Sequence, residues 1–329
     1  MNRRAPVAVS CGDPAGIGPE LAPKARIALG DEVPFFYIGD PAHLPQGSSW
    51  QVIESPAQTM DVPKGVLPVI HHGFMGPVTH GCPNPTHAKD VISAIKRGVD
   101  YVQSGEASAI CTLPINKKAL MDGADFVFPG HTEYLSYLAG GIPAVMMLAA
   151  KDLRVVPVTI HIGLEDVPRL LTASLLRETI LITHAALRRD FCIAAPRLAV
   201  AGLNPHAGEG GRMGWQESKM MIPLLDDLRA NGIDVTPPLP ADTMFHPRAR
   251  AQFDAAICMY HDQALIPIKT IDFDGGVNVT LGLPFVRTSP DHGTAYDIAG
   301  KGLARADSFI AALKMAQDMA RQRGQHGNN

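Results

Sequence analysis

The amino-terminal stretch of this 329-residue chain indicates the fold class, and it runs Pro6-Val7-Ala8-Val9-Ser10-Cys11-Gly12-Asp13-Pro14-Ala15-Gly16-Ile17-Gly18-Pro19. Its first half is a short apolar run typical of a β-strand, and the Gly/Asp/Pro segment after it is typical of a tight turn. Pro19 then favours the start of a helix, because a missing backbone N–H costs little there. We therefore predict a strand, a turn and a helix in that order.

The same alternation of short strands and longer helices continues along the chain. We predict strands at 35–40, 107–113, 155–162, 198–203 and 255–260, and helices at 86–105, 166–187 and 217–230. The proline cluster at 237–240 is interpreted as a rigid turn. Strands that alternate with helices predict an α/β fold with a mainly parallel sheet, and the chain length favours two domains.

The composition argues against several classes of protein. Apolar residues make up 46% of the chain and charged residues 19%, which is the balance of a globular protein rather than a disordered one. The net charge of −3 gives no basic surplus for nucleic acid. No run approaches the roughly 20 apolar residues of a membrane helix. The five scattered cysteines contain no CxxC pair, so we expect buried thiols and a cytoplasmic protein.

Three histidines share one context, because each lies at or just past the carboxyl end of a predicted strand. They are His161, His206 and His261. In open α/β sheets those strand ends converge on the ligand crevice, and three neutral imidazoles leave a divalent cation with open coordination positions. Zinc fits nitrogen ligands best, while cobalt, manganese or magnesium are alternatives. Each histidine taken alone is more often a hydrogen-bonded structural residue than a metal ligand.

A second set of polar residues indicates an anion site. Thr132 lies in Gly130-His131-Thr132-Glu133, before an apolar helical run, so it is either a helix N-cap or a substrate contact. Lys269, Asn278 and Arg287 follow His261 in a Gly-rich stretch. A lysine and an arginine with an amide between them suit a phosphate and a carboxylate, although each could also be a solvated surface charge.

Five segments of the chain together resemble the 4-hydroxythreonine-4-phosphate dehydrogenase family of pyridoxal 5′-phosphate biosynthesis. They are GDPAGIGPE at 12–20, GHTE at 130–133, GLNPHAGEG at 202–210, YHDQ at 260–263 and VNVTLGLPFVRTS at 277–289. The resemblance runs from about residue 7 to about residue 315, with the segments in the family's order.

This resemblance implies an isocitrate/isopropylmalate dehydrogenase-like fold with two α/β/α domains and a cleft between them. The first domain, on the cofactor side, would comprise 1–130 and 290–329, and the second, on the metal and dimer side, 131–289. It also implies a homodimer with the active site near the interface. The implied metal ligands are His161, His206 and His261, one of them donated across the dimer, and the implied substrate contacts are His131, Thr132, Lys269, Asn278 and Arg287.

The segment at 291–302 is similar to the loop with which isopropylmalate dehydrogenases hold the adenine end of their dinucleotide. The resemblance therefore assigns cofactor binding to His292, Gly293, Thr294 and Ala295. It also explains why the chain has no GxGxxG fingerprint. The preference between NAD and NADP stays open.

The reaction implied by the family is the oxidation of 4-phosphooxy-L-threonine at C3 to 2-amino-3-oxo-4-phosphooxybutanoate, which decarboxylates to 3-amino-2-oxopropyl phosphate. A bound divalent metal would lower the pKa of the substrate hydroxyl. Candidate proton acceptors are Asp242, Asp262 and Lys269, and Asp262 could instead orient His261.

Three other functions remain open. One is a sister dehydrogenase for 4-phospho-D-threonate or 4-phospho-D-erythronate, which needs no amino-group recognition. The others are a metal-dependent hydrolase and a regulatory protein that binds metal or phosphate without turnover.

Overall fold

The computed structural model describes residues 5–326 and confirms the predicted α/β class. The chain divides into two compact units. The first extends to Pro143 and includes Leu283–Gly324, while the second is built mainly from Ala144–Gly282. His131, Thr132 and Arg287 therefore lie in the first unit, whereas the expected boundaries assigned them to the second domain.

The described residues contain twelve strands. They are β1 (Val7–Ser10), β2 (Phe35–Gly39), β3 (Trp50–Val52), β4 (Leu67–His71), β5 (Ala109–Thr112), β6 (Val145–Ala150), β7 (Leu153–Thr159), β8 (Leu198–Ala201), β9 (Val235–Leu239), β10 (Ala255–Tyr260), β11 (Val277–Leu281) and β12 (Arg287–Pro290).

Ten α-helices connect or flank these strands in the described part of the chain. They are α1 (Gly18–Leu29), α2 (Ala88–Gln103), α3 (Lys117–Ala124), α4 (His131–Leu138), α5 (Val167–Leu170), α6 (Ala173–Phe191), α7 (Ile222–Ala230), α8 (Pro247–Arg250), α9 (His261–Ile271) and α10 (Asp307–His326). None of them alone is long and apolar enough to cross a membrane, and the pair Leu164–Leu170 and Ala173–Phe191, which passes together by length and composition, is bent by 89°.

The strands of the first unit lie in the order β3-β4-β2-β1-β5-β12, and their pairings are parallel. The predicted strand, turn and helix at the amino terminus are confirmed as β1, the turn at 11–17 and α1. Strand β2 lies on one side of β1 and β5 lies on the other, so the order of the strands reverses at β1. Such a reversal of strand order is where ligands bind in open α/β sheets.

The strands of the second unit lie in the order β11-β6-β7-β10-β8-β9, and only β6 runs against its neighbours. The three strands that precede the three histidines, β7, β10 and β8, are adjacent and parallel. Their carboxyl ends therefore lie side by side. These strands share one apolar cluster, whose fully buried members include Leu148, Val155, Ala256 and Cys258.

Two local predictions are wrong. Pro237 and Pro238 lie in strand β9 rather than in a turn, and β9 is the last strand of its sheet, where a missing N–H is tolerated. The helix predicted over 166–187 is broken into α5 and α6. Thr172 caps α6 by accepting a hydrogen bond from the Leu175 N–H, so the chain begins a new helix there.

Candidate active site

The three histidines at the strand ends lie in the second unit, and two of them are close together. His161 follows β7 with a positive φ of 54°, and His261 is the first residue of α9 after β10. Their ring centroids are 5.9 Å apart. Two imidazoles bound to one tetrahedral ion would have centroids about 5 Å apart, so the two rings are neighbours but lie about 1 Å farther apart than in a formed metal site.

Buried hydrogen bonds fix the strand ends that precede these histidines. The Thr159 hydroxyl donates to the Met259 carbonyl at 2.7 Å and joins β7 to β10. The buried Gln263 carboxamide accepts from the Met259 N–H at 2.6 Å and donates to the Gly202 carbonyl at 2.7 Å. One side chain thus ties the end of β10 to the segment that leads to His206.

His206 lies in an unusual left-handed turn. Five consecutive residues have φ between 41° and 80°, namely His206, Ala207, Gly208, Glu209 and Gly210. Left-handed backbone is costly for residues other than glycine and is concentrated at functional sites. The buried Glu217 stabilises the turn, because its carboxylate accepts hydrogen bonds from the Asn204 backbone N–H at 2.7 Å and from Asn204 Nδ2 at 2.9 Å.

The second unit does not bring all three predicted metal ligands together. Within residues 5–326, no group of three His, Cys, Asp or Glu side chains lies close enough to hold a metal ion. His161 and His261 share the wall of a cavity of about 250 Å³ with Asp262, whereas His206 is not part of that wall. The pair supplies two of the nitrogen ligands that a zinc-like cation prefers.

The candidate proton acceptors have different surroundings. Asp262 Oδ1 accepts a hydrogen bond from His261 Nδ1 at 2.7 Å, which is the arrangement that orients a metal-binding imidazole. Asp242 is exposed and lines, with Asp262, a hollow of about 420 Å³. The Lys269 ammonium lies 5.4 Å above the ring of Phe273. Asn278 lies on β11, where it pairs with Leu148.

The predicted anion site of the first unit is centred on a buried arginine. Arg287 is 3% exposed, and its Nε and Nη2 donate to the Thr112 hydroxyl at 3.2 and 2.7 Å. Burial lowers the pKa of Arg287 to about 10, which leaves it charged at neutral pH. Burial, together with the nearby cations Arg287 and Lys117, holds the pKa of His131 well below its usual 6.5. The site is therefore positive through Arg287 and Lys117, with a neutral imidazole beside them.

Helix α4 adds its amino terminus to this site. Its N-cap is Gly130, and no side chain caps it, so the interpretation of Thr132 as the N-cap is wrong. A Cβ on Gly130 would lie 3.5 Å from Lys117 Nζ, which places that ammonium beside the first turn of the helix. A lysine next to a helix amino terminus is a suitable environment for a phosphate or a carboxylate.

The loop expected to bind the cofactor is fastened to the amino-terminal turn of the same unit. The Ile17 N–H donates to the Thr294 carbonyl at 3.0 Å, and the Tyr296 hydroxyl donates to Asp13 Oδ2 at 2.6 Å. Ala295 has a φ of 44°, and His292 Nδ1 contacts the Gly293 carbonyl at 3.0 Å. The four predicted cofactor residues thus lie on a loop that backbone and side-chain hydrogen bonds hold in place.

Sequence reasoning missed several residues of these sites. Thr112 and Arg287 touch although they are 175 residues apart, which no local pattern reveals. Lys117 was detectable, because it follows the carboxyl end of β5 after the N-cap Asn116 and so obeys the strand-end rule applied to the histidines. Gln263 lies in the YHDQ segment that carries the resemblance but was assigned no role, and Glu217 gave no signal in the sequence.

Polar side chains at the carboxyl ends of parallel strands are typical of α/β enzymes, and comparison with known proteins identifies the family. The family described as "Pyridoxal phosphate biosynthetic protein PdxA" matches residues 32–316. A 4-hydroxythreonine-4-phosphate dehydrogenase from Paracoccus denitrificans is 60% identical over 327 residues, covering 98% of this chain and all of the relative. One from Roseobacter denitrificans is 62% identical over 317 residues, covering 96% and 97% of the two chains.

Solved structures give the same result. The crystal structure of 4-hydroxythreonine-4-phosphate dehydrogenase from Klebsiella pneumoniae has a TM-score of 0.87 at 35% identity, covering 96% of this chain and 99% of that one. The enzyme from Burkholderia phymatum has a TM-score of 0.82 at 38% identity, covering 97% and 99%. The chain belongs to the PdxA family of pyridoxal phosphate biosynthetic proteins. The prediction of a dehydrogenase of this pathway is confirmed, and the sister dehydrogenase for sugar acids is not favoured.

Proposed function

We propose that this chain oxidises 4-phosphooxy-L-threonine at C3 with a nicotinamide dinucleotide, and that the resulting β-keto acid loses carbon dioxide to give 3-amino-2-oxopropyl phosphate. The family match over residues 32–316 carries this proposal. Hydride leaves C3 for the oxidised nicotinamide, the hydroxyl proton passes to a base, and the C1–C2 bond breaks in the second step. The hydrolase and the non-catalytic binding protein account for neither the family nor the fastened loop at 291–302.

In this proposal the first unit binds the anionic groups of the substrate. Arg287 and Lys117 supply positive charge, and His131 and Thr132 lie in the first turn of α4. Arg287 is preorganised, because Thr112 accepts two of its N–H groups and holds the guanidinium plane. Fixing the phosphate and the carboxylate in this way would restrict C3 to one position relative to the cofactor. Asn278 and Lys269 remain proposed substrate contacts.

His161, His206 and His261 are the proposed ligands of a divalent metal, with zinc preferred and magnesium or cobalt as alternatives. The spacing of the His161 and His261 rings supports this assignment. A metal at this site would polarise the substrate hydroxyl and lower its pKa. The proposed homodimer would supply His206 from a second copy, because in one chain His206 does not line the cavity of the other two.

The proton acceptor is proposed to be Asp242 or Lys269. Asp262 is the weaker candidate, since its hydrogen bond to His261 Nδ1 already uses its carboxylate to orient that imidazole. The proposed cofactor contacts are His292, Gly293, Thr294 and Ala295. A cytoplasmic location stays a prediction.

The proposal is tested by following the absorbance of the reduced nicotinamide with 4-phosphooxy-L-threonine, a dinucleotide and a divalent metal, and with 4-phospho-D-erythronate in parallel. We expect reduction with the threonine compound and its loss on chelation. Reduction with the erythronate compound alone would contradict the proposed substrate, and reduction with neither would contradict the dehydrogenase.

Two neighbouring lysines provide a matched test of the anion site. Lys117→Ala removes the ammonium beside α4 and should raise KM by about tenfold, the effect of one charge-assisted contact. Lys118→Ala removes an exposed ammonium that pairs with Asp122 on the helix surface and should leave KM unchanged. Equal effects of the two substitutions would remove Lys117 from the site.

A further inference from the structure

One tyrosine hydroxyl in the first unit joins segments that are distant in the chain. The Tyr296 hydroxyl donates to Asp13 Oδ2 at 2.6 Å, although the two residues are 283 positions apart. Asp13 is 6% exposed, and Tyr296 is half-buried. This contact therefore lies inside the unit, where a hydrogen bond fixes the geometry of the segments that it joins.

Asp13 passes this constraint on to the end of β5. Its Oδ1 accepts the Ala15 N–H at 2.9 Å, and its own backbone N–H donates to the Pro114 carbonyl at 2.8 Å. The close approach requires glycine at position 12, where φ is 69° and a Cβ would collide with the Pro114 carbonyl oxygen. Without the Tyr296 hydroxyl, a buried oxygen of Asp13 would lose its donor, and the segment that contacts Pro114 would have to adjust.

The helix that follows β5 is held by the same tyrosine. Helix α3 begins with Lys117, and its N-cap is Asn116, whose Oδ1 accepts the Ala119 N–H at 2.9 Å. The Asn116 carboxamide also acts as a hydrogen-bond donor toward the Tyr296 hydroxyl. The first turn of α3 is therefore held from two sides, by this contact and by the contact of Asp13 with the preceding chain.

The Tyr296 hydroxyl is a permanent donor near neutral pH. Burial raises the pKa of Tyr296 above its usual 10, and the Asp13 carboxylate adds to this rise. The donors Thr294 and Asn116 act on this pKa in the opposite direction without cancelling the rise. The contact with Asp13 therefore persists at neutral and mildly alkaline pH.

Lys117 differs from its neighbour Lys118 in the surroundings of its ammonium. The Lys118 ammonium pairs with Asp122 at 2.6 Å on the surface of the helix. The Lys117 ammonium has no carboxylate within ion-pair distance among residues 5–326, and a Cβ on Gly130 would lie 3.5 Å from it. A long side chain without a partner has many accessible rotamers, so the backbone position of Lys117 decides how well it meets an anion.

We propose that Tyr296 is a positioning residue for the substrate anion, because its hydroxyl holds the first turn of α3 and so keeps Lys117 beside the amino terminus of α4. In this role Tyr296 touches neither the substrate nor the reacting atoms and acts through Lys117. A fixed backbone narrows the positions that the ammonium reaches, so less conformational freedom is lost when the anion binds. This inference rests on the proposed function, which assigns Lys117 to the substrate.

The test is a double-mutant cycle on the metal-loaded enzyme, in which calorimetric titration without dinucleotide gives the affinity for 4-phosphooxy-L-threonine. Tyr296→Phe removes only the hydroxyl and should weaken binding about fivefold when Lys117 is present. In the Lys117→Ala enzyme the same substitution should weaken binding by less than about twofold, because the ammonium that Tyr296 positions is gone. Equal weakening in both backgrounds is the result of a purely structural role and would overturn the proposal, as would no weakening at all.

A second variant reaches the same contact from α3. Serine caps a helix as asparagine does but carries no amide donor, so Asn116→Ser should weaken binding with the same dependence on Lys117. The control is Tyr101→Phe, which removes from α2 a hydroxyl that makes no hydrogen bond among the described residues. A loss of affinity in Tyr101→Phe as large as in Tyr296→Phe would also overturn the proposal.

The same cycle with inorganic phosphate separates this inference from the proposed function. If Tyr296→Phe lowers the affinity for phosphate only when Lys117 is present, and 4-phosphooxy-L-threonine is not turned over, the proposed function fails and the positioning role stands. Turnover of 4-phosphooxy-L-threonine together with a loss of affinity that does not depend on Lys117 would contradict the positioning role alone.

Discussion

The anion site of the first unit and the histidine site of the second differ in how completely one chain builds them. Arg287 is buried and held by Thr112, and the helix, the lysine and the neutral His131 around it come from the same unit. The histidine site has two rings near each other, and His206 stands apart in a left-handed turn. In the proposed function, the first unit of one chain supplies the charges that hold the substrate anions, whereas the metal site takes a further ligand from a second copy.

In the proposed function, this difference follows from what each site binds. A substrate anion is stabilised best by charges and dipoles that are already oriented, because they need no reorganisation during the reaction. A metal site can draw its ligands from separate chains, since the metal–ligand bonds are strong enough to join them. The comparison therefore predicts that a substitution in the first unit impairs only the site of its own chain. Some substitutions in the second unit should instead impair the site of the other chain in the dimer.

The largest expected effect comes from the histidines. His161→Ala and His206→Ala should each lower kcat by about a thousandfold or more, because each removes a proposed metal ligand. If His206 comes from the second copy, a refolded mixture of the two variants contains dimers with one intact site. The mixture should then recover about a quarter of the wild-type activity.

The matched control for this mixing experiment is His161→Ala with His261→Ala. In this proposal each site takes His161 and His261 from the same chain. Every site in a mixed dimer then lacks one of these two histidines, and the mixture should stay inactive. Recovery in the control, or no recovery with His206→Ala, would contradict a metal site shared between chains.

The next effect concerns the buried guanidinium of the first unit. Arg287→Lys keeps a charge but loses the planar pair of donors that Thr112 accepts, so kcat/KM should fall by about a hundredfold. In a mixture with His206→Ala, some activity should return, because the mixed dimer keeps one intact site on the chain that carries His206→Ala. The control is Arg229→Lys, on α7 beside Asp226, which should behave as wild type. An Arg287→Lys enzyme with normal kcat/KM would remove Arg287 from substrate binding.

A smaller effect is expected from the carboxylate that supports the His206 turn. Glu217→Gln keeps the size of the side chain but has one acceptor oxygen for the two Asn204 donors. Metal affinity, measured by competition with a chelator, should fall about tenfold. The exposed Glu178→Gln on α6 is the control. Unchanged metal affinity in Glu217→Gln would show that the turn does not depend on this carboxylate for metal binding.

The regular part of the fold was predictable because its signals are local. Apolar runs identified β7, β8 and β10, and the parallel arrangement followed from the helices between them, so the three histidines were correctly placed after strand ends. The strand β9 was missed, because its two prolines are compatible with a strand only at a sheet edge, and sequence alone does not show which strand is outermost.

The candidate sites were predictable only in part. Resemblance named Arg287 and His131, but the hydrogen bond from Arg287 to Thr112 joins segments 175 residues apart. Lys117 was detectable from its place after a strand end, whereas its closeness to His131 depends on the tertiary structure. The left-handed turn at His206 was invisible as well, since Ala207 and Glu209 ordinarily avoid positive φ and adopt it here where Glu217 holds the adjoining chain. Local pattern gives the positions of site residues, and tertiary contacts decide which of them act together.

The smallest expected effect is on stability rather than catalysis, and it tests how dry the anion site is. His131 has its pKa held below the usual 6.5 by burial and by Arg287 and Lys117. Below pH 6.5 the unfolded chain takes up a proton on this imidazole and the folded chain does not, so the free energy of unfolding falls as the pH is lowered. Above pH 6.5 neither state takes up this proton, and His131 no longer contributes to the pH dependence. His131 should therefore contribute to the loss of unfolding free energy between about pH 7.5 and about pH 5.5. His131→Asn should reduce the acid loss measured by urea denaturation, while His246→Asn, on an exposed turn before α8, should reduce it less. An acid loss in His131→Asn as large as in the wild type would mean that water reaches this imidazole and that the first unit's site is less preorganised than the contrast with the histidine site requires.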